Sequence, residues 1–136
     1  TQNYMKPLTD ERLFDWHAAL FPTGRSGAYK ITVADWRQGA EPMQVISGAM
    51  GKERIHYQAP DSNNVPHEMS VFLAWANDSQ KIDSVLKAAI AHLWFVTIHP
   101  FDDGCHIVSI VCLLKYGSSV KDIMKYWRKH KRVIWI

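Results

Sequence analysis

The chain has 136 residues, 47% of them hydrophobic and 21% charged, which suits one globular domain with a single core and argues against disorder. No apolar run approaches the roughly 18 residues needed to span a bilayer, and the start shows no signal-peptide pattern. The net charge of +3 is uneven: from Lys115 onward seven basic residues face one acid, while the remainder holds nine basic and twelve acidic residues. A basic tail can meet nucleic acid or an acidic surface, but no nucleic-acid motif accompanies it, so it reads as a solvated helix face and nucleic acid is not expected as a partner.

The chain begins on Thr1, as a fragment or processed chain would. Residues 10–20 predict a first helix, with Thr9 as N-cap, two acids in the first turn, and Pro22 and Gly24 beyond its end. Leu13, Trp16, Ala19 and Leu20 share one face at helical spacing. Residues 22–50 hold four glycines and two prolines and read as loop, with a short strand near Tyr29. Residues 54–59, bounded by Gly51 and Pro60, read as one arm of a small hairpin, which must lie on a larger body to be stable.

Pro66 suits a first helical turn, and Val65, Met69, Phe72, Leu73 and Ala76 follow as an amphipathic stripe, broken at Asn77-Asp78-Ser79. From Ile82 the apolar set Val85, Leu86, Ala89, Ile90, Leu93, Trp94 and Thr97 predicts a central helix buried on that face and stopped by Pro100. Residues 107–114 predict a second buried helix, and 121–131 a basic one. The fold class is mainly α, a compact bundle with a small β-hairpin, and one domain over 1–136. Cys105 and Cys112 lie about two helical turns apart, too far to bridge. They read as free thiols of a reducing, cytoplasmic compartment.

Between the two apolar helices stands His99-Pro100-Phe101-Asp102-Asp103-Gly104. A histidine can accept a proton near neutral pH, aspartates are hard ligands suited to Mg²⁺, and amides after a glycine turn open a helix end that favours phosphate. Base, carboxylate and helix start within a few residues are the parts that phosphoryl or nucleotidyl transfer uses. The bland alternative is a helix-ending His, a helix-breaking Pro and two acids capping the next helix.

The hexapeptide resembles the front half of the Fic (Fido) family signature, H-P-F-x-(D/E)-G-N-G-R-x-x-R. Further segments are similar to that family in the same order: residues 13–22, Gly27-Ala28-Tyr29-Lys30, 55–60, the V-P-x-x-M…W-x-N pattern from Val65 to Asn77, and Ala88-Ala89-Ile90-Ala91-His92. Together they cover about residues 8–104, and 105–136 diverge. The resemblance implies a Fic-like bundle with a flap, and transfer of AMP from ATP to a hydroxyl of a target protein. It implies His99 as the base and Asp103 as the ligand of Mg²⁺. Gly104, Cys105 and His106 would form the anion and nucleotide site, and Phe101 a structural anchor. Ile55, His56 and Tyr57 would form the flap that docks the target as an added strand.

After Gly104 the family expects Asn-Gly-Arg-x-x-Arg; here stand Cys105, His106, Ile107 and Ile110, and no arginine falls there whether the chain is aligned without a gap or with one residue lost. An isoleucine offers a phosphate nothing in place of a guanidinium fork. Loss of activity is therefore expected as the alternative: a catalytically inactive Fic-fold remnant that binds protein or nucleotide. A frameshift or truncation from about Cys105 onward would account for the divergence. The chain has no (S/T)-x-x-x-E-(G/N) inhibitory motif, which leaves any inhibitor to a separate chain. A third reading is a Zn²⁺ module drawing on His92, His99, Cys105, His106 and Cys112, although the spacing fits no standard zinc pattern. His17, His56, His67 and His130 read as ordinary surface or partly packed histidines.

Overall fold

The computed structural model describes residues 6–49, 51–79 and 81–114. Helix α1 spans Asp10–Leu20. Thr9 Oγ1 accepts from the Arg12 amide at 3.4 Å, and the Phe21 amide closes the other end on the His17 carbonyl. Strands β1 (Arg25–Ser26) and β2 (Tyr29–Lys30) form a tiny antiparallel hairpin. A second hairpin, the flap, pairs β3 (Gln44–Ser47) with β4 (Arg54–Gln58). Its register shifts between Val45 and Ile46, so His56 is an extra residue on β4, a bulge that adds twist and re-aims its neighbours.

A 3₁₀ turn at Ser62–Asn64 leads into α2 (Val65–Asn77), which carries Pro66 in its first turn. Helix α3 (Ser84–Ile98) starts under Asp83, whose Oδ1 accepts from the amides of Val85 and Leu86 at 3.0 and 3.1 Å. Helix α4 (Cys105–Leu114) starts at once after Gly104. Helix α3 packs between α2 and α4, and α1 meets α4. Phe72 of α2 lies 5.7 Å from the rings of both Trp94 and Phe95 of α3, edge-on, and forms the centre of the core. Asn77 clamps the end of α2 to the segment before α1. Its Oδ1 accepts from the Leu8 amide at 2.7 Å, and its Nδ2 donates to the Leu8 carbonyl at 2.8 Å.

The chain is thus helical with small hairpins, as expected, and four details differ. Ala19 is exposed, and the α1 position that turns inward is His17, one turn beyond Leu13. The loop over 22–50 contains three strands, not one. Helix α4 begins two residues earlier than residue 107. The largest difference is the orientation of α3. Val85, Leu86, Ala89, Ile90 and Leu93 are exposed, Leu93 at 66%, whereas Ala88, Ala91, Phe95 and Ile98 face the core. The basic helix expected over 121–131, His130 and the Cys112 side chain lie outside the described residues. Among the described residues no helix is long and apolar enough to cross a membrane.

Candidate functional site

The corner between α3 and α4 is built on one strained residue. His99 caps α3 in the left-handed region, at φ 51° and ψ 61°, with its amide donating to the Phe95 carbonyl. The imidazole is 4% exposed. Burial, the Arg37 cation and His106 pull its pKa down to about 4, against Asp103 and Asp102, which raise it. The ring is therefore neutral at pH 7, the state a base must hold.

Phe101 is fully buried and anchors the loop from below. Its ring stacks on His17 at 4.1 Å and 7°, and stands 5.3 Å from Trp36. His17 is itself fully buried, where an ordinary surface or partly packed histidine was expected. Its Nε2 lies 3.1 Å from the Asp103 carbonyl, and its Nδ1 accepts from the Ala34 amide at 3.4 Å. That pairing requires a neutral ring with its proton on Nε2. Burial lowers the pKa accordingly, against the Asp103 carbonyl and the charges of Asp102 and Asp103.

Asp103 is tied to β1 and Asp102 to the segment just after β2. Asp102 Oδ2 accepts from the Thr32 amide at 2.8 Å, and Asp103 Oδ2 accepts from the Ser26 hydroxyl. Asp103 Oδ1 accepts from the Gly104 amide at 2.6 Å. Asp103 remains exposed, and each oxygen keeps a lone pair, so one Mg²⁺ bound jointly with phosphates fits this carboxylate. Gly104 adopts φ 76°, and a Cβ there would fall 2.7 Å from Phe21 Cε2. Its carbonyl accepts from the amides of Ile107 and Val108, and its own amide serves Asp103. The amides of Cys105 and His106, in the first turn of α4, are the ones an α-helix leaves without an intrahelical acceptor.

The Cys105 side chain turns inward. Its Sγ accepts from the Phe101 amide and donates to the Phe101 carbonyl, both at 3.4 Å, and burial pushes the thiol up to about 12. The His106 ring is half-buried, with its pKa lowered by burial and raised by Asp103. It lies 6.2 Å from the ring of His92, whose Nδ1 is 2.9 Å from Ser109 Oγ. Among the described residues no three His, Cys, Asp or Glu side chains converge as a metal site. The guanidinium groups of Arg12, Arg25 and Arg37 are engaged with main-chain carbonyls.

The flap reaches the same corner. Tyr57 Oη donates to the Thr97 carbonyl, in the last turn of α3, at 3.0 Å. Ile55 is 56% exposed, and His56 pairs with Ser47 Oγ at 2.6 Å. The structure therefore brings His99, Phe101, Asp103, Gly104, Cys105, His106 and Tyr57 to one end of the bundle, while Ile55 and His56 stand outward on the flap. Sequence reasoning missed His17, Ser26, Thr32 and Arg37. For His17 the spacing of four from Leu13 was the available signal. For the other three, each a lone polar residue outside any periodic pattern, there was none.

A family model described as the Fic/DOC family matches residues 7–116, past Gly104 and through α4. Among solved structures the chain is similar to a Fic family protein from Desulfovibrio desulfuricans G20, at 21% identity and a TM-score of 0.61 over 87% of this chain and 33% of that one. It is similar to a Fic-domain-containing signaling protein from Bacteroides thetaiotaomicron VPI-5482, at 20% identity and a TM-score of 0.65 over 93% and 48%. It is also similar to Fic-1 from C. elegans, at 17% identity and a TM-score of 0.61 over 84% and 29%. The chain thus spans less than half the length of each of these structures. No curated protein matches it. With the match running over residues 7–116 and the fold shared by these neighbours, the chain belongs to the Fic/DOC family.

Proposed function

We propose that this corner is a Fic-type transfer site, weakened by its missing arginines, that moves AMP from ATP to a hydroxyl of a target protein. The observation that carries the reading is the buried, neutral His99 imidazole at the meeting of the α3 C-terminus and the α4 N-terminus. His99 takes the hydroxyl proton, the hydroxyl oxygen gains the bond to the α-phosphorus, and pyrophosphate leaves with the bonding pair. A pKa of about 4 makes His99 a weak base in the free chain. Anionic phosphates nearby favour the imidazolium and raise that value as the substrate binds.

Asp103 is the residue that would hold Mg²⁺, which supplies charge neutralisation to the phosphates when bound. The Cys105 and His106 amides, with the dipole of α4, would receive a phosphate oxygen. The target would dock along β4, all five residues of which are exposed and which, among the described residues, pairs with β3 alone. Residues 105–109 of α4 offer no guanidinium, and loss of such charge stabilisation costs about 10²- to 10⁵-fold in rate.

The same absence of a guanidinium favours a second reading, a Fic-fold binding module without catalysis. Incubation with α-labelled ATP, Mg²⁺ and lysate separates the two. Label that appears on a protein and vanishes in His99→Ala supports transfer. Absence of label from the folded, unmodified chain rejects transfer in favour of the binding module.

A further inference from the structure

Arg37 is 3% exposed and lies in the loop between the two hairpins, yet it grips three main-chain carbonyls. Its amide donates to the Pro100 carbonyl at 2.9 Å, its Nε donates to the His99 carbonyl at 2.7 Å, and its NH2 group donates to the Pro60 carbonyl. Pro60 stands two residues beyond β4, at the root of the flap. There Ala59 is buried and its amide donates to the Met43 carbonyl at 2.9 Å. One planar guanidinium therefore bridges the flap root and the turn that carries His99.

A buried cation loses its hydration, and an apolar side chain of similar volume would pack here without that cost. What an apolar side chain could not do is hold two carbonyls at a fixed separation and angle, which the rigid fork of donors does. His99 is the residue that needs such a hold. A non-glycine residue at φ 51° persists only when its surroundings over-determine it, and Arg37 fixes the carbonyls of both His99 and Pro100.

We infer that Arg37 is a positioning residue that locks the flap root to the His99 turn, so that a target segment seated on β4 and the setting of His99 are coupled. Burial lowers the pKa of the guanidinium, and Cys105, Asp102 and Asp61 oppose that shift electrostatically. The cation also stands second, after burial, among the causes that keep the His99 ring neutral. The purpose of this coupling rests on the transfer reading, but its existence does not.

Amide hydrogen exchange and the His99 imidazole C–H resonance, measured on the full chain, test it. In Arg37→Met the amides of residues 54–60 and 99–104 should exchange about tenfold faster relative to those of α2, the equivalent of one hydrogen bond to a charged group. The His99 resonance should also move. Equal loss of protection in every element, or no change at the flap root, overturns the inference. Arg37→Lys keeps the charge without the fork, folds on the same core, and should show the same local loosening. Full restoration of flap protection by lysine overturns the role of the fork. Tyr57→Phe removes a separate hydrogen bond between the flap and α3 and should loosen β4 without moving the His99 resonance; a shift as large as that in Arg37→Met overturns the route through Arg37. If the unmodified chain transfers no label, the transfer reading falls, while exchange and resonance still decide the coupling.

Discussion

Single residues at the corner are held by contacts that leave little freedom to substitute. His17 stacks on Phe101 and bonds through both ring nitrogens, so the loop carrying Asp103 leans on a side chain 86 residues earlier in the chain. Gly104 combines a positive φ with the close approach of Phe21. Its requirement is steric and stands independently of any phosphate. Gly104→Ala should therefore cost about 2–4 kcal/mol, from the left-handed backbone and the displaced ring together. Urea unfolding measures this, and a loss below about 0.5 kcal/mol would contradict the steric account.

Among the elements, α3 shows how periodicity can point to the wrong side. It carries two interleaved apolar sets, and both obey helical spacing. One set, Val85, Leu86, Ile90 and Leu93, is exposed among the described residues. The set with Ala88 and Ala91 faces inward, where small side chains let α2 and α4 approach closely while Phe95 fills the centre. Phe95→Ala should accordingly lose about 3–5 kcal/mol, and Leu93→Gln no more than about 0.5 kcal/mol. Thermal unfolding of the two variants checks this orientation, and the reverse order of losses would refute it.

For the molecule as a whole, acid acts through its histidines. His17, His92, His99 and His106 all have pKa values lowered by burial, His99 to about 4. Each folds as a neutral ring, so the unfolded chain binds more protons once pH falls below the ordinary histidine value near 6.5. Their contribution is fully present above that pH and is lost progressively as pH falls toward the folded values. His99 alone accounts for about 3 kcal/mol over that window. The urea midpoint should drop clearly between pH 7 and pH 5, and a flat profile across that interval would exclude four histidines held neutral by full or partial burial.

The helices of the described residues, the flap strand β4 and the family were legible in the chain because they rest on local chemistry. Thr9 and Pro66 mark helix starts, Pro100 marks a stop, and the His99–Gly104 motif is read residue by residue. The α3–α4 corner was legible for the same reason, since a short contiguous segment carries most of it. The partners that complete it were not. Thr32 and Ser26 hold Asp102 and Asp103 across about 70 residues or more of chain, and Arg37 reaches both Pro60 and His99. A lone polar residue in a loop has no period and no motif, so nothing local records what it will meet. Which face of α3 is buried was decided the same way, by the fit of small residues against neighbouring helices. The sequence by itself determined what is periodic or contiguous: the helices α1 to α4, the strand β4 and the motif. Only the tertiary structure decided burial of His17, the locking of the aspartates and the Arg37 bridge, because hydrogen bonding and packing between distant segments depend on where the backbone brings them.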